Sequence, residues 1–322
     1  MAIAEAPRLA RGREPVAIPI RETLMRRISR HWADYLYVLP ALLVMLIVIG
    51  YPLIYTVWLS FHATPPRTGE WVFNGTQNYQ DILSGPRFWR VTMNTFYWTV
   101  GSTLFSFILG FGAALALHNP FPGRGVVRAL LLIPWVISAV AAAYVWRWIL
   151  HSDYGLVSGM LKSWGVIDRP LVLLDSKSYV MPTLIAVNVW KEFPFVMIML
   201  TAGLQTVPEG LLRAARIDGA STWNQFRHVT IPHLKGVILI TTLLLFVGNL
   251  NSFTLVWLMT GGGPANASQL WITEIYNIAF RSLQYGQASA YSVILFIIML
   301  ALGYFYVKAL TMNAPKQEGQ AR

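Results

Sequence analysis

The chain has 322 residues, of which 55% are hydrophobic and only 12% are charged, and its mean hydropathy is +0.50. A soluble domain carries about twice that charged fraction, so the composition excludes an ordinary soluble protein. The net charge of +11 is better explained by cytoplasmic loops that face anionic lipid than by nucleic acid, and the absence of cysteine excludes disulfides, thiol catalysis and cysteine-ligated metals.

Residues 1–34 are polar and arginine-rich, and 20–32 are expected to form an amphipathic helix on the membrane surface. Six apolar segments of about the length that crosses a bilayer follow. They are predicted at 35–61, 91–117, 127–150, 180–204, 237–259 and 289–310. Each must be helical, because lipid cannot pair with backbone polar groups. The second is rich in Gly, Ala and Ser, which favours close helix packing over lipid contact.

The distribution of Lys and Arg predicts the orientation. These residues are more frequent in the segments that lie inside if the N-terminus is cytoplasmic than in the opposite loops. The first apolar segment is too long for the core of a signal peptide and is expected to remain as an anchor. We therefore expect an all-α, multi-pass membrane protein with both termini cytoplasmic. Its membrane domain is predicted at 35–312, between an N-terminal segment at 1–34 and a tail at 313–322.

Motifs of catalysis are absent from the sequence. There is no phosphate-binding loop of the form GxxxxGK[ST], so the chain is not expected to hydrolyse ATP, and no HExxH, GxSxG or dinucleotide-binding glycine pattern is present. The six histidines are scattered without metal-ligand spacing. We expect no cofactor or metal in this chain, and a membrane enzyme is a weak alternative.

The longest internal cytoplasmic stretch, 205–236, is predicted to form two short helices around a sharp turn. Pro208 suits the first position of a helix, and Asp218-Gly219 is expected to end that helix, because Gly adopts a left-handed conformation without steric cost. Thr222, with Gln225 three residues later, resembles a capping box that starts a second helix, and Pro232 is expected to end it. Such definite ends favour a docking element for a partner protein over a plain linker.

The stretch AARIDGASTWNQFRHVTIPHL (214–234) resembles the coupling motif of binding-protein-dependent ABC importer permeases. The residues that the resemblance assigns to contact with an ATPase are Arg213, Ala214, Ala215, Asp218, Gly219, Ala220, Phe226 and Pro232. Arg213 stands where that family usually has Glu, and Glu209, one turn earlier, is a candidate substitute.

The resemblance covers the chain from about 35 to 312. LLIPW (131–135), WKEFPF (190–195), LMTGGGPANAS (258–268) and AFRSLQYGQASAYSVILF (279–296) look like the carbohydrate branch of this family, in the expected order. It implies a type I importer permease of the bacterial inner membrane that pairs with a second homologous permease, two ATP-binding cassette subunits and a periplasmic sugar-binding protein. ATP and Mg²⁺ would then be bound by the ATPase subunits.

The resemblance also implies a sugar site between the fourth and fifth membrane helices. Its lining residues are expected to be Asn188, Lys191, Glu192, Phe195, Leu245, Gly248, Asn249 and Ser252. Part of this expectation follows from the residues themselves, because ionisable and amide groups within apolar helices normally face a cavity or each other. For Lys191 and Glu192 the two readings stay open: they contact substrate, or they pair and hold the bundle together. A cationic Lys191 in the site would suit an anionic sugar.

Two further functions compete with this one. A secondary transporter would carry coupling-ion carboxylates within the membrane, but Glu192 is the one acidic residue inside a predicted membrane helix. A permease for another solute, such as an amino acid or phosphate, is disfavoured by the TGGGP and IDGAS segments. Neither the sugar nor the sister permease can be identified from this chain.

Overall fold

A computed structural model of the chain describes residues 32–63 and 70–312. The predicted amphipathic helix at 20–32 lies almost wholly outside these residues, as does the predicted tail. The chain forms two units, which divide between Tyr55 and Thr56. The described part of the first is helical: α1 (Trp32–Met45), a π-helical turn (Leu46–Gly50) and the start of α2 (Tyr51–Leu59).

The second unit is a bundle of helices with one short antiparallel hairpin. Its elements are β1 (His62–Ala63), β2 (Val72–Phe73), α3 (Gln77–Ser84), α4 (Pro86–Ala116), α5 (Arg124–Val136), α6 (Ala139–Ile149), α7 (Leu156–Ser163), α8 (Val180–Gln205), α9 (Glu209–Ile217), α10 (Thr222–Gln225), a π-helical turn (Phe226–Thr230), α11 (Ile231–Leu250), α12 (Thr254–Thr260), α13 (Trp271–Tyr276), a π-helical turn (Asn277–Arg281) and α14 (Tyr285–Met312). The hairpin pairs His62 with Phe73 and Ala63 with Val72.

Within the described residues, five helices are long and apolar enough to cross a membrane. They are Leu36–Leu59, Pro86–Ala116, Val180–Gln205, Thr222–Leu250 and Tyr285–Tyr306. The remaining apolar segment is not the single helix predicted at 127–150. It is the pair α5 and α6, whose axes differ by 94°.

The bend between α5 and α6 has a local cause. Pro134 lies inside α5, where its ring removes a helical hydrogen bond and crowds the preceding turn. Ile137 then takes an extended conformation, with φ −65° and ψ 134°, and Ser138 starts α6 with ψ 138°. The six predicted segments are therefore present as five long helices and one bent pair.

The fifth membrane helix also differs from its prediction at 237–259. It begins at Thr222, runs through the π-helical turn and α11, and ends at Leu250. Asn251 and Ser252 follow outside the helix, and the chain restarts at Thr254 as α12. Both ends of this helix therefore lie well toward the N-terminus of their predicted positions.

A π-helical turn precedes two of the prolines in the long helices. The N–H of Tyr51 donates to the carbonyl of Leu46 just before Pro52, and the N–H of Ile231 donates to the carbonyl of Phe226 just before Pro232. A π-helical turn is wider than an α-helical turn, which makes room for a proline ring that would clash with the carbonyl four residues earlier. The prediction that Pro232 ends the helix is therefore wrong.

Close packing of α4 against α8 forms the centre of the second unit. A buried face of small side chains follows α4. It consists of Thr95, Thr99, Ser102, Thr103, Ser106 and Gly110. A Cβ atom at Gly110 would lie 2.6 Å from the carbonyl oxygen of Phe193 on α8, so only glycine allows this approach. The expectation that small residues bring the second membrane helix into close contact fits this geometry.

We predict that Gly110→Ala destabilises the folded protein by about 1–3 kcal/mol, because the added methyl group forces α4 and α8 apart. The matched control is Gly112→Ala on the same helix, since Gly112 is exposed and has no atom within 4 Å of an added Cβ. Thermal unfolding of the purified protein measures both variants. Equal midpoints for the two variants would contradict the close approach.

Candidate functional site

A cavity of about 300 Å³ lies between α8 and α11. Its walls are formed by Trp135, Asn188, Glu192, Phe195, Leu244, Leu245, Gly248, Asn249 and Ser252. Seven of the eight residues expected from the sequence are therefore brought together around one space. The exception is Lys191, which points its ammonium toward Glu192 at a distance of 3.7 Å and does not line the cavity.

Two buried asparagines join three helices at one wall of the cavity. Asn188 on α8 donates from Nδ2 to Oδ1 of Asn249 at 2.8 Å, and Asn249 donates from Nδ2 to Oγ1 of Thr103 on α4 at 3.1 Å. The indole N–H of Trp98 donates to the backbone carbonyl of Asn249 at 3.0 Å. All four residues are buried. This cluster holds the end of α11 against α4 and α8.

Aromatic rings form another wall. The rings of Trp135 and Phe195 are stacked with centroids 6.2 Å apart and an interplanar angle of 28°. Phe195 was expected in the site, whereas Trp135 was quoted only as part of the LLIPW motif and was given no role. Trp190 does not join them, because it packs edge-on against Trp146 and borders a separate apolar groove.

Four residues of the site were not predicted from the sequence. Trp98 and Thr103 lie on the second predicted membrane helix and Trp135 on the third, and neither helix was assigned a site residue; Leu244 lies beside the predicted Leu245 on α11. The sequence feature that marks Trp135 is its position directly after Pro134, close to the bend between α5 and α6. The signal for Thr103 is its place in a run of Ser and Thr residues along the apolar middle of α4.

The chemistry available at the cavity is that of binding. It offers a carboxylate, two amides, a hydroxyl and a pair of stacked rings, which are the groups that orient a small polar ligand in a pocket. Among the residues the structure describes, no group of three or more His, Asp and Glu could hold a metal ion.

The segment 206–232 contains the two short helices expected from the sequence. The first, α9, starts at Glu209 with Pro208 as its N-cap, and it ends at Ile217. Gly219 has φ +78°, and the N–H groups of Gly219 and Ala220 return to the carbonyls of Arg216 and Ala215. This is the pattern of a Schellman motif, so Asp218-Gly219 forms the expected turn.

The start of the second short helix differs by one residue from its prediction. The cap is Ser221, whose Oγ accepts from the N–H of Asn224 at 3.3 Å, rather than Thr222. Gln225 is buried and donates from its side chain to the carbonyl of Ala220 at 2.8 Å. The side chain of Gln225 therefore stabilises the turn through its bond to Ala220 and does not complete a capping box with Thr222.

The two short helices leave large apolar side chains exposed. Ile217 is 86% exposed, Trp223 is 65% exposed and Leu211 is 53% exposed. Phe226 instead turns inward and stacks on Phe111 of α4, with centroids 5.9 Å apart. Exposed apolar groups of this size around a rigid turn are typical of a surface that another protein covers.

Arg213 lies on the same exposed helix. Its guanidinium contacts the carboxylate of Glu209 at 2.7 Å, one turn earlier. Both side chains are largely exposed, so the pair contributes little to stability. Glu209 therefore lies beside Arg213 and keeps an acidic group on this face of α9.

Residues 106–316 match the protein family described as binding-protein-dependent transport system inner membrane component. The trehalose/maltose transport system permease protein MalF of Thermococcus litoralis is 35% identical over 277 residues, which cover 85% of this chain and 92% of that protein. A probable ABC transporter permease protein of Brucella suis is 33% identical over 280 residues, covering 87% and 96%. The sulfoquinovosyl glycerol transport system permease protein SmoG of Agrobacterium fabrum is 29% identical over 272 residues, covering 84% and 87%.

One solved structure similar to this chain is that of a bacterial ABC transporter involved in the import of the acidic polysaccharide alginate. The TM-score is 0.77 and the identity 23%, and the match covers 92% of this chain and 100% of that one. At this identity the likeness is one of fold. Together with the helices described above, it confirms the predicted all-α membrane architecture.

We predict that Asn249→Leu lowers the thermal stability of the protein substantially. The change leaves the buried Nδ2 of Asn188 without its acceptor, and an unsatisfied buried polar group costs about 1–3 kcal/mol. Asn251→Leu is the control, because Asn251 is exposed and bonds from its side chain to the helix carbonyl of Val247. If the two variants unfold at the same temperature, the asparagine cluster does not hold the bundle together.

Proposed function

Because this chain belongs to the family of binding-protein-dependent transport system inner membrane components, we propose that it is the permease subunit of an ATP-driven importer that carries a sugar or sugar derivative across the bacterial inner membrane. The observation that carries the sugar assignment is the composition of the cavity between α8 and α11. A carboxylate, two amides and a hydroxyl surround it beside the stacked rings of Trp135 and Phe195. Polar groups of this kind suit sugar hydroxyls, and aromatic faces suit the apolar face of a sugar ring.

The proposed importer contains further subunits besides this chain. We propose a second homologous permease beside it, two ATP-binding cassette subunits on the cytoplasmic side and a periplasmic sugar-binding protein. ATP and Mg²⁺ would be bound by the cassette subunits, since this chain has no phosphate-binding loop. Both termini would be cytoplasmic, in agreement with the excess of Lys and Arg on that side.

The turn between α9 and α10 is proposed as the contact with an ATPase subunit. The exposed Ile217 and Trp223 would be covered by that subunit, and the Schellman turn at Gly219 would bring backbone close to it. The family resemblance adds Arg213, Ala214, Ala215, Asp218, Ala220, Phe226 and Pro232 to this surface. Phe226 has a different part in it, because its stacking on Phe111 would tie the surface to α4.

Coupling from this surface to the cavity would be mechanical. The helix Thr222–Leu250 is continuous from the turn to Asn249, so a displacement at one end moves the other. ATP can shift the permease between two conformations only by as much as it favours one of them, and it acts here through the ATPase subunits. A rigid helix between the two sites is the element that such a shift would move.

We predict that Gly248→Leu lowers sugar uptake at least about tenfold by placing a side chain in the cavity. A Cβ atom at Gly248 meets no atom within 4 Å, so the new side chain enters open space and does not strain the helix. Gly236→Leu is the control on the same helix, since that position is exposed and equally open. Uptake of labelled sugar is measured in vesicles with the complete importer, and co-purification with the ATPase subunits shows assembly. Uptake by Gly248→Leu at the level of the control would contradict the site.

We also predict that Gly219→Val abolishes most of the ATP hydrolysis that the sugar-loaded binding protein stimulates. A β-branched residue at φ +78° is strained, while its side chain would meet no atom of this chain, so the effect is on the shape of the turn. Gly210→Val is the matched control, because Gly210 is an open position on the adjoining helix α9. If Gly219→Val inserts normally and its stimulated hydrolysis equals that of the control, the turn is a plain linker with no part in coupling.

A further inference from the structure

A second cavity, which we call the outer cavity, is lined mainly by polar and charged groups. Its volume is about 390 Å³, and it shares no lining residue with the cavity between α8 and α11. Its walls come from the end of α6, the loop that follows it, the end of α12, part of the TGGGP segment and Arg281. The proposed function assigns no role to this space.

Two arginines line the outer cavity, and consecutive residues of α12 hold them. The guanidinium of Arg281 lies over the ring of Trp257, 4.7 Å from the ring centroid. Arg147 donates from Nη1 to the carbonyl of Leu258 at 3.2 Å. The aromatic face occupies none of the N–H donors of Arg281, and the carbonyl occupies one of the five on Arg147. Both guanidinium groups are therefore oriented by neutral groups and keep donors for a ligand.

These neutral groups leave the positive charges uncompensated. None of the salt bridges within residues 32–63 and 70–312 includes Arg147 or Arg281. Of the described residues that line the outer cavity, Asp175 is the one acid, so two positive charges stand against one negative charge. Two cations around one space repel each other, and an anion placed between them relieves the repulsion.

His151 adds a third donor to the lining. Its Nδ1 accepts from the backbone N–H of Asp153 at 3.3 Å, so the neutral ring carries its proton on Nε2. The ring stacks on Tyr154 with centroids 3.6 Å apart, and the N–H of Gly155 donates to the carbonyl of His151 at 3.0 Å. The loop that carries His151 is therefore held in place by its own contacts.

The outer cavity lies at the level where two membrane-spanning helices begin. Its lining residues at 173–175 come shortly before α8, and Arg281 comes shortly before α14. Because both helices are long and apolar enough to cross a membrane, their first residues mark the boundary between hydrocarbon and water. Phospholipid phosphates lie at this boundary. In the proposed orientation, with both termini cytoplasmic, it is the periplasmic one.

We propose that the outer cavity is a phosphate-binding site at the periplasmic boundary of the membrane, in which Arg147 and Arg281 bind one phosphate group. Guanidinium groups suit this ligand because their planar forks match phosphate oxygens in geometry and charge. A phospholipid headgroup and a soluble phosphate offer the same chemistry, and the level of the cavity favours the headgroup. The inference goes beyond the proposed function, since it assigns a site apart from the sugar cavity.

Arg147→Gln and Arg281→Gln test the site, since each removes one positive charge and keeps a polar side chain. Arg169→Gln is the matched control, because Arg169 is exposed in the loop between α7 and α8 and does not line the outer cavity. Unfolding midpoints without added ligand show that the variants fold. The two test variants need not fail together, because their arginines are held by different groups.

The first measurement compares two phospholipids on the purified complex of both permeases and the ATPase subunits. Titration in detergent, followed by native mass spectrometry, gives the apparent Kd for phosphatidylglycerol and for phosphatidylcholine. We expect the wild type and Arg169→Gln to bind phosphatidylglycerol at least about tenfold more tightly, because the choline cation would meet the two arginines. In Arg147→Gln and Arg281→Gln the preference is expected to fall to within about threefold.

The second measurement uses inorganic phosphate on the same complex without added lipid. The shift of the unfolding midpoint is compared with that in sodium chloride at equal and low ionic strength, since salt screens exposed charges. Phosphate bound by the ATPase subunits is common to all variants and cancels in the comparison. We expect the shift specific to phosphate to be smaller in Arg147→Gln and Arg281→Gln than in Arg169→Gln.

The outcomes identify the source of the phosphate or reject the site. A lipid preference that requires both arginines supports the headgroup. Phosphate binding that requires them, without a lipid preference, supports a soluble phosphate. If neither ligand depends on the arginines, the inference is overturned. It is also overturned if the two variants lose only their association with the periplasmic binding protein, because the arginines would then serve a protein partner.

These measurements are independent of sugar uptake. Uptake that is unaffected by Gly248→Leu would overturn the sugar cavity and leave the phosphate site standing. Lipid and phosphate binding that ignore Arg147 and Arg281 would overturn the phosphate site and leave the sugar cavity standing.

Discussion

The structure depends on one constraint, which is that hydrocarbon offers no hydrogen-bond partner to a polar group. A helix that ends or bends in such surroundings must therefore find its partners in the protein. The end of α11 shows how this is done, because the carbonyl of Asn249 accepts from the indole of Trp98 and its side chain bonds to Thr103 and Asn188. The groups that satisfy the helix end are also those that give the cavity its polar wall.

Much of the architecture could be predicted because it depends on composition and local sequence. Long apolar stretches specify spanning helices whatever surrounds them, and Asp218-Gly219 specifies a turn because few residues accept a positive φ. Seven of the nine residues that line the cavity between α8 and α11 were predicted through the family resemblance, by their distance along the chain from the WKEFPF and TGGGP motifs. These features need no knowledge of which helix lies beside which.

The features that could not be predicted depend on tertiary packing or on small changes of helical geometry. Pro134 precedes a bend of 94°, whereas Pro232 is absorbed by a π-helical turn, and nothing in the two local sequences separates these outcomes. Lys191 lies outside the cavity with its ammonium 3.7 Å from the carboxylate of Glu192, an orientation that the local sequence of α8 does not specify. Thr103 and Trp135 reach the site only through the packing of helices that are distant from α8 and α11 in the sequence.

The π-helical turn at Phe226–Thr230 sets a phase relation between two sites. Each residue of an α-helix advances the side-chain direction by about 100°, and a π-helical turn holds one residue more than an α-helical turn. Between the turn at Gly219 and Asn249 the helix therefore holds one residue more than a regular α-helix that presents the same faces at its two ends. Loss of a single residue within the π-helical turn would let the helix run as a regular α-helix and would leave Gly248 and Asn249 facing Asn188, whereas loss of a residue within α11 would turn them away by about 100°. The π-helical turn is thus the place where this helix can change its length by one residue without changing its direction.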